Sequence, residues 1–274
     1  MNTKQFINVN RTNWNERVGI HAESSGGFYD LEGFLAGKST LRDIEITEIG
    51  DVSNKTLLHV MCHFGLDTLS WARRGAEVTG VDFSEKAIVL TRDLAERTSL
   101  RATFLRADVL DLPCSLSGQF DIVFASYGVL CWLPDINRFI EAMARCLKPN
   151  AIFYLIDGHP FFDMYEYDQD TERLELRYPY FHNSKPEECD CCTSYINKTR
   201  TLVNDKTYQW NHDIESILTV LIVNGLELLS LKEYPFGFYQ KYPNMVQNDK
   251  GQWVFAVDDI EIPLLISVKA RKKT

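Results

Sequence analysis

The chain has 274 residues, 45% of them hydrophobic, enough to bury a substantial core in one large domain or one domain with an insertion. Its 29 basic and 38 acidic residues give a net charge of −9, the wrong sign for tracking a nucleic-acid backbone, so a small-molecule partner is expected. No run approaches the roughly 18 apolar residues that span a bilayer, and Met1–Gln5 leads into no apolar stretch, so a cytoplasmic protein with mostly reduced cysteines is expected.

In chain order, residues 1–50 read as an amino-terminal helical arm carrying Trp14-Asn15-Glu16-Arg17-Val18-Gly19-Ile20-His21, with Tyr29 and Asp30 behind it. Its aromatic and polar side chains are candidates either to face a ligand or to pack into the core. From Lys55 to Ile156 short apolar runs alternate with amphipathic segments, the pattern of strand–helix units that builds a parallel sheet. Five strands are predicted, at Leu57 to Met61, Glu77 to Val81, Ala102 to Arg106, Ile122 to Ser126 and Ala151 to Ile156, several apolar on both faces. Gly75 should stop the helix that begins near Gly65, because a residue without Cβ accepts the left-handed conformation there. Ser84 and Asp135 are placed to cap helices. Behind Asp135, the residues Ile136, Phe139, Ile140, Met143 and Leu147 recur on one helical face, and Pro149 is expected to end that helix.

Beyond Pro160 the helical period is lost, and a β-rich insertion is expected at about 160–206, containing Tyr178-Pro179-Tyr180-Phe181. Cys189, Cys191 and Cys192 invite a zinc reading, but no second pair follows at zinc-finger spacing and His182 is the nearby imidazole, so no metal is expected. A helix resumes near His212 to Asn224, closed by Gly225, followed by a run at Leu226 to Leu231 and a last strand at Ile262 to Ala270. Residues 51–274 thus read as one α/β domain interrupted by the insertion. The basic tail, Lys269, Arg271, Lys272 and Lys273, reads as a solvated terminus.

The chemistry concentrates at Leu57-Leu58-His59-Val60-Met61-Cys62-His63-Phe64-Gly65-Leu66-Asp67, a strand, a tight turn and a helix start, with Asp82 closing the next strand. Such an arrangement builds nucleoside sites. A pyrophosphate would require glycines where His59, Met61 and His63 stand, so a nicotinamide oxidoreductase is disfavoured. Asp82 can accept both ribose hydroxyls or, with Ser84 nearby, serve a helix start. Asp108 ends the third strand, and a second carboxylate there suits an adenosine held at ribose and base rather than through phosphates.

These residues resemble a class I S-adenosylmethionine-dependent methyltransferase of the small-molecule type, over about residues 55 to 158. The resemblance implies a Rossmann-like α/β fold: seven mostly parallel strands, the last antiparallel, with helices on both faces. It implies S-adenosylmethionine as cofactor, S-adenosylhomocysteine as product, the turn His59 to Gly65 facing the methionine part, and Asp82 on the ribose. It further implies Asp108 on the adenine amine, with Phe83 and Val109 packing on the ring. Phe120-Asp121-Ile122-Val123-Phe124-Ala125-Ser126-Tyr127 is similar to the fourth-strand motif whose end, at Ser126, lines the reaction centre; Leu147-Lys148-Pro149-Asn150 is similar to the turn before the fifth strand. The departure lies in the first motif, where the family places an acidic residue and two glycines at His59, Met61 and His63. Backbone groups of Cys62 and Gly65 are then expected to cradle the amino-acid moiety.

The function implied is in-line methyl transfer to a small-molecule acceptor, for which the protein mainly aligns a nucleophile. Should a base be used, His159 after the fifth strand is the first candidate and His212 the second, since imidazole titrates near neutrality; each has a structural alternative as a turn or core residue. Tyr127, Trp132 and the Tyr178 to Phe181 cluster could line an acceptor pocket or pack in the core. The alternative function is a cofactor-binding regulator without turnover.

Overall fold

The structure, a computed structural model, describes residues 2–23, 29–190, 194, 196, 200–255 and 261–274. The first fifty residues supply α1 (Thr3–Ala22), α2 (Leu31–Leu35) and α3 (Asp43–Ile49). The alternating region follows as β1 (Thr56–Val60), α4 (Leu66–Arg73), β2 (Glu77–Asp82), α5 (Glu85–Arg97), β3 (Ala102–Arg106), β4 (Phe120–Ser126), α6 (Ile136–Cys146) and β5 (Leu147–Gly158). Beyond it come β6 (Tyr165–Asp168), β7 (Arg173–Leu176), β8 (Glu187–Asp190), β9 (Lys206–Gln209), α7 (Ile214–Val223), β10 (Leu226–Tyr234), β11 (Met245–Gln247), β12 (Trp253–Phe255) and β13 (Leu265–Lys272).

Seven strands form one sheet in the order β10-β13-β5-β4-β1-β2-β3. All run parallel except β13, which pairs antiparallel with both β5 and β10. Side-chain alternation accounts for the layers. Leu58, Val60, Val123, Ala125, Phe153 and Leu155 point to the face covered by α6 and α7. Leu57, Val78, Ile122, Phe124, Tyr154 and Ile156 point the other way, onto Trp71 of α4 and the isoleucines of α3. Because both faces are buried, these strands read as apolar runs, each buried aliphatic side chain contributing on the order of 2 kcal/mol.

Asp135 and Ser84 cap as expected, accepting from the Arg138 and Ala87 amides, and Gly75 takes a φ of 91° just past α4. The end of α6 differs from expectation. It stops at Cys146, and Leu147 to Asn150, Pro149 included, belong to β5, where Leu147 pairs with Phe120. A proline disfavours helical conformation in the residue before it, so it acts on Lys148 and the helix yields early. The region 160–206 holds the antiparallel pair β6 with β7, and β8, whose antiparallel partner β9 starts at Lys206 and runs on to Gln209. A third such pair, β11 with β12, lies beyond it and was not anticipated. Cys191 and Cys192 lie outside the described residues.

Candidate active site

The turn between β1 and α4 keeps a conformation that glycine would favour, although two of its three positions are not glycine. Met61, His63 and Gly65 have φ of 54°, 50° and 76°, all left-handed. A non-glycine residue there costs on the order of 1 kcal/mol. Gly65 cannot be exchanged for a different reason: a Cβ would lie 1.9 Å from Thr91 Oγ1 and 3.2 Å from the Phe104 ring. Its bareness lets α5 and β3 close against the turn. Backbone groups of Cys62 and Gly65 were expected to face the amino-acid moiety, and their amides also hold the turn together. The Cys62 amide donates to the Val81 carbonyl at 3.0 Å and the Gly65 amide to the Cys62 carbonyl at 2.9 Å, so both close the turn on itself.

A cleft opens at the carboxyl ends of β1, β2, β3 and β4, lined by His59, Cys62, Gly65, Asp82, Phe83, Asp108, Val109 and Ser126 among others. The structure therefore brings together eight residues singled out in the sequence. Asp82 lies at its base, one oxygen accepting from the His63 amide and the other from the Ser84 amide, both at 2.8 Å. Burial outweighs these bonds and pushes the carboxyl up to about 6. Asp108 accepts from the Leu110 amide through one oxygen. His59 is fully within the fold: Nδ1 meets Thr68 Oγ1 at 2.8 Å and Nε2 lies 3.4 Å from Ser126 Oγ, tying β1 to α4 and β4. Burial holds this imidazole neutral, down at about 3.

His159 is not among the residues lining the cleft. Its Nδ1 accepts from the Phe161 amide at 3.1 Å and its Nε2 faces Glu233 at 2.8 Å, so both ring nitrogens serve the corner after β5. Chain order suggested proximity to the reaction centre; the antiparallel pairing of β13 draws the corner away instead, with the His159 amide donating to Leu264. The neighbouring Asp157 does shape the cleft. Its carboxylate accepts from the amides of Gly128, Val129 and Leu130, fixing the segment that presents Tyr127 and Trp132. His212 likewise turns inward, Nε2 donating to the Leu133 carbonyl at 2.8 Å.

Further residues at or behind the cleft wall had no role, or an undecided one, in the sequence reading. Asp67, in the first turn of α4, accepts from Thr40 and is raised above its ordinary range by burial. Glu45 of α3 accepts from the Tyr127 hydroxyl at 2.8 Å and is raised to about 7 by burial and by the charge of Asp67. The arm closes one wall with Trp14, whose ring lies 5.2 Å from that of His63 and 5.5 Å from that of Trp132. His21 Nδ1 meets His63 Nε2 at 3.0 Å. Asp67, two residues after Gly65, was open to detection in the sequence; pairs separated by 42 or 82 positions were not.

The donor set fits S-adenosylmethionine. Asp82 is buried and Asp67 half-buried, and desolvation raises both, so ligand hydroxyl or ammonium donors would relieve them. Among the described lining residues Arg42 is the one guanidinium or ammonium, against three aspartates. A hydroxyl-rich cation suits that balance, and a pyrophosphate does not.

Residues 57–150 match a family described as a methyltransferase domain. The chain is 30% identical over 102 residues to the ubiquinone biosynthesis O-methyltransferase of Bordetella avium, covering 37% of this chain and 42% of that protein. It is 32% identical over 114 residues to the enzyme of that name from Alkalilimnicola ehrlichii, covering 41% and 46%. The chain thus spans less than half the length of these curated relatives. Among solved structures, the fold matches a putative S-adenosylmethionine dependent methyltransferase from Listeria monocytogenes at a TM-score of 0.62 and 17% identity, covering 84% of this chain and 97% of that one. A second, from Mesorhizobium loti, matches at 0.59 and 20% identity, covering 87% and 100%.

Proposed function

We propose, from the premise that the chain carries a class I S-adenosylmethionine-dependent methyltransferase domain, that it transfers a methyl group from this cofactor to a small-molecule acceptor. The observation that carries the reading is the cleft's balance of three aspartates against a single guanidinium at the strand ends. Asp82 would take the ribose hydroxyls and Asp108 the adenine amine, with Phe83 and Val109 against the ring. Asp67 would meet the amino group of the methionine part. His59 would hold Ser126 and the turn in place as a neutral imidazole. When bound, the cofactor supplies a methyl group on a sulfonium, already electrophilic without further activation.

What remains for the protein is alignment and exclusion of water. Asp157 anchors the segment behind β4, Trp14 of the arm lies across the cleft, and Glu45 orients the Tyr127 hydroxyl. We therefore read residues 1–50 as a covering arm, residues 51–274 as the cofactor-binding domain, and about 160–206 as an insertion that buttresses the arm. The hydrogen bonds from Asn13 to the Asn204 carbonyl and from the Val203 and Asn204 amides to Glu16 support that last role. The names of the relatives from Bordetella avium and Alkalilimnicola ehrlichii support oxygen as the methylated atom. Cys62, Cys114, Cys131 and Cys146 are free thiols, which suits a cytoplasmic protein.

Mass spectrometry of the small molecules released on denaturing the purified protein tests the reading. S-adenosylmethionine or S-adenosylhomocysteine is expected; a nicotinamide dinucleotide in their place would contradict it.

A further inference from the structure

Four aromatic rings line the cleft where the turn after β1 meets the arm: Trp14, Tyr29, His63 and Trp132. Each comes from a different segment of the chain and each is half-buried, so ring surface remains open to the cleft. Trp14 meets His63 at 5.2 Å and Trp132 at 5.5 Å, and Tyr29 meets His63 at 5.3 Å, all edge-on. The Trp14 plane stands at 73° to that of His63 and 85° to that of Trp132, so these rings form the walls of a corner rather than a stack. Two of them are held from behind. Tyr29 stacks on His21 at 4.9 Å, and His21 Nδ1 meets His63 Nε2 at 3.0 Å. His63 also keeps its place at a φ of 50°, where glycine would be easier, and strain of that kind persists where a site needs the side chain.

We infer that these four rings seat the cofactor's sulfonium, attracting its positive charge through their π faces and so telling cofactor from spent product. The inference rests on the methyltransferase reading above. Position along the cleft carries it. In the cofactor, sulfur joins the ribose to the amino-acid part; in the cleft, on that reading, Asp82 takes the ribose and Asp67 the amino group. His63 stands at the junction, its amide donating to Asp82 at 2.8 Å and Asp67 following four residues later.

The chemistry of the wall agrees. A sulfonium has no hydrogen on sulfur to donate, so no hydrogen bond recognises it, whereas an aromatic face attracts any cation through the ring quadrupole. Burial holds His63 well below its ordinary range, so its ring adds π surface and no charge. One buried cation, Arg17, has Cζ 5.8 Å from the Trp14 ring centre, but it donates to Asn13 and does not line the cleft. The carboxylate of Asp82, on the His63 amide, works against its repulsion. The attraction also has a direction in the reaction. When the methyl carbon leaves, the C–S electron pair stays on sulfur and the cation becomes a neutral thioether. The attraction ends with the charge, so S-adenosylhomocysteine is held less tightly than the cofactor that replaces it.

Isothermal titration of S-adenosylmethionine, S-adenosylhomocysteine and sinefungin into the full chain tests this, sinefungin carrying an ammonium where the cofactor carries its methylated sulfur. The wild type should bind both ligands charged at that position at least about tenfold more tightly than S-adenosylhomocysteine, the scale of cation–π contacts in a partly desolvated site. Trp14→Leu keeps apolar bulk and removes the ring. The ratio of dissociation constants, in which losses common to all three ligands cancel, should then fall to about threefold or less. If circular dichroism shows that Trp14→Leu does not fold, Tyr29→Leu takes its place. Equal affinity of the wild type for S-adenosylmethionine and S-adenosylhomocysteine, sinefungin binding no better than S-adenosylhomocysteine, or an unchanged ratio in the variant that folds would each overturn the inference. Failure of all three ligands to bind would instead strike the reading on which it rests.

Discussion

Asp82 carries the clearest consequence at the scale of single residues. Two backbone amides hold its carboxylate, yet burial raises it to about 6. A ribose is best held by the ionised form, which can accept at both oxygens. Cofactor affinity should therefore be full above about pH 6 and fall as pH drops through it, approaching tenfold per pH unit, because a bound proton must first be released. Isothermal titration between pH 5 and 8 checks this, and a flat dissociation constant would count against the assignment. The position of Asp82 was legible in the sequence because strand, turn, helix and strand follow one another without interruption. The role of His159 was not: its surroundings are set by Glu233 and Leu264, far along the chain. His59 was legible as a departure from the motif, but its partners Thr68 and Ser126 emerge only when α4 and β4 are placed around it.

Among the elements, the turn between β1 and α4 and the segment after β4 set the cleft's shape. Gly65→Ala places a methyl group 1.9 Å from Thr91 Oγ1 on a left-handed backbone. Strain and overpacking together should cost about 2–5 kcal/mol, measurable as a lowered urea midpoint with unchanged slope. Asp157→Ala removes the acceptor of four amides, Gly128, Val129, Leu130 and its neighbour Gly158. About 3 kcal/mol of stability should be lost, and amide exchange at 128–130 should accelerate selectively. Uniform acceleration across the sheet would show that Asp157 supports the whole fold rather than this segment. The helices and strands of the alternating region were legible because their apolar periods are local. The end of α6 was read too late because the reach of Pro149 onto the preceding residue was left out. The third antiparallel pair, β11 with β12, is three residues a strand, too short for a period to register.

Across the whole molecule, burial sets titratable groups of opposite sign against one another. Glu45 and Asp82 are raised to about 7 and about 6, so each favours the folded state as pH falls toward the ordinary carboxylate range. His21 and His59 are lowered to about 3, so the unfolded chain takes up protons below about 6.5 that the folded chain refuses, and stability falls. The two effects offset between about pH 6.5 and 4.5. Below about pH 4 Glu45 and Asp82 approach protonation in both states, whereas the lowered imidazoles, His63 and His212 with them, and the carboxylates held low by hydrogen bonds, such as Asp121 and Asp213, all cost stability. Urea midpoints should be nearly level from pH 6.5 to 4.5 and drop steeply below 4; a steady decline from pH 7 would show that the histidines are not held neutral. The arm itself was legible as a helical segment; its contacts, such as Trp14 with Trp132 and His21 with His63, were not, since no local pattern announces them.

The central claim is that the cleft at the ends of β1 to β4 holds S-adenosylmethionine through its aspartates. Isothermal titration of S-adenosylhomocysteine at pH 7.5 into the wild-type chain and Asp82→Ala tests it most directly. The account predicts one micromolar site per chain, weakened by about tenfold or more in the variant, the worth of a charge-assisted pair of hydrogen bonds. No micromolar binding to the wild type, or equal binding to both, would contradict it.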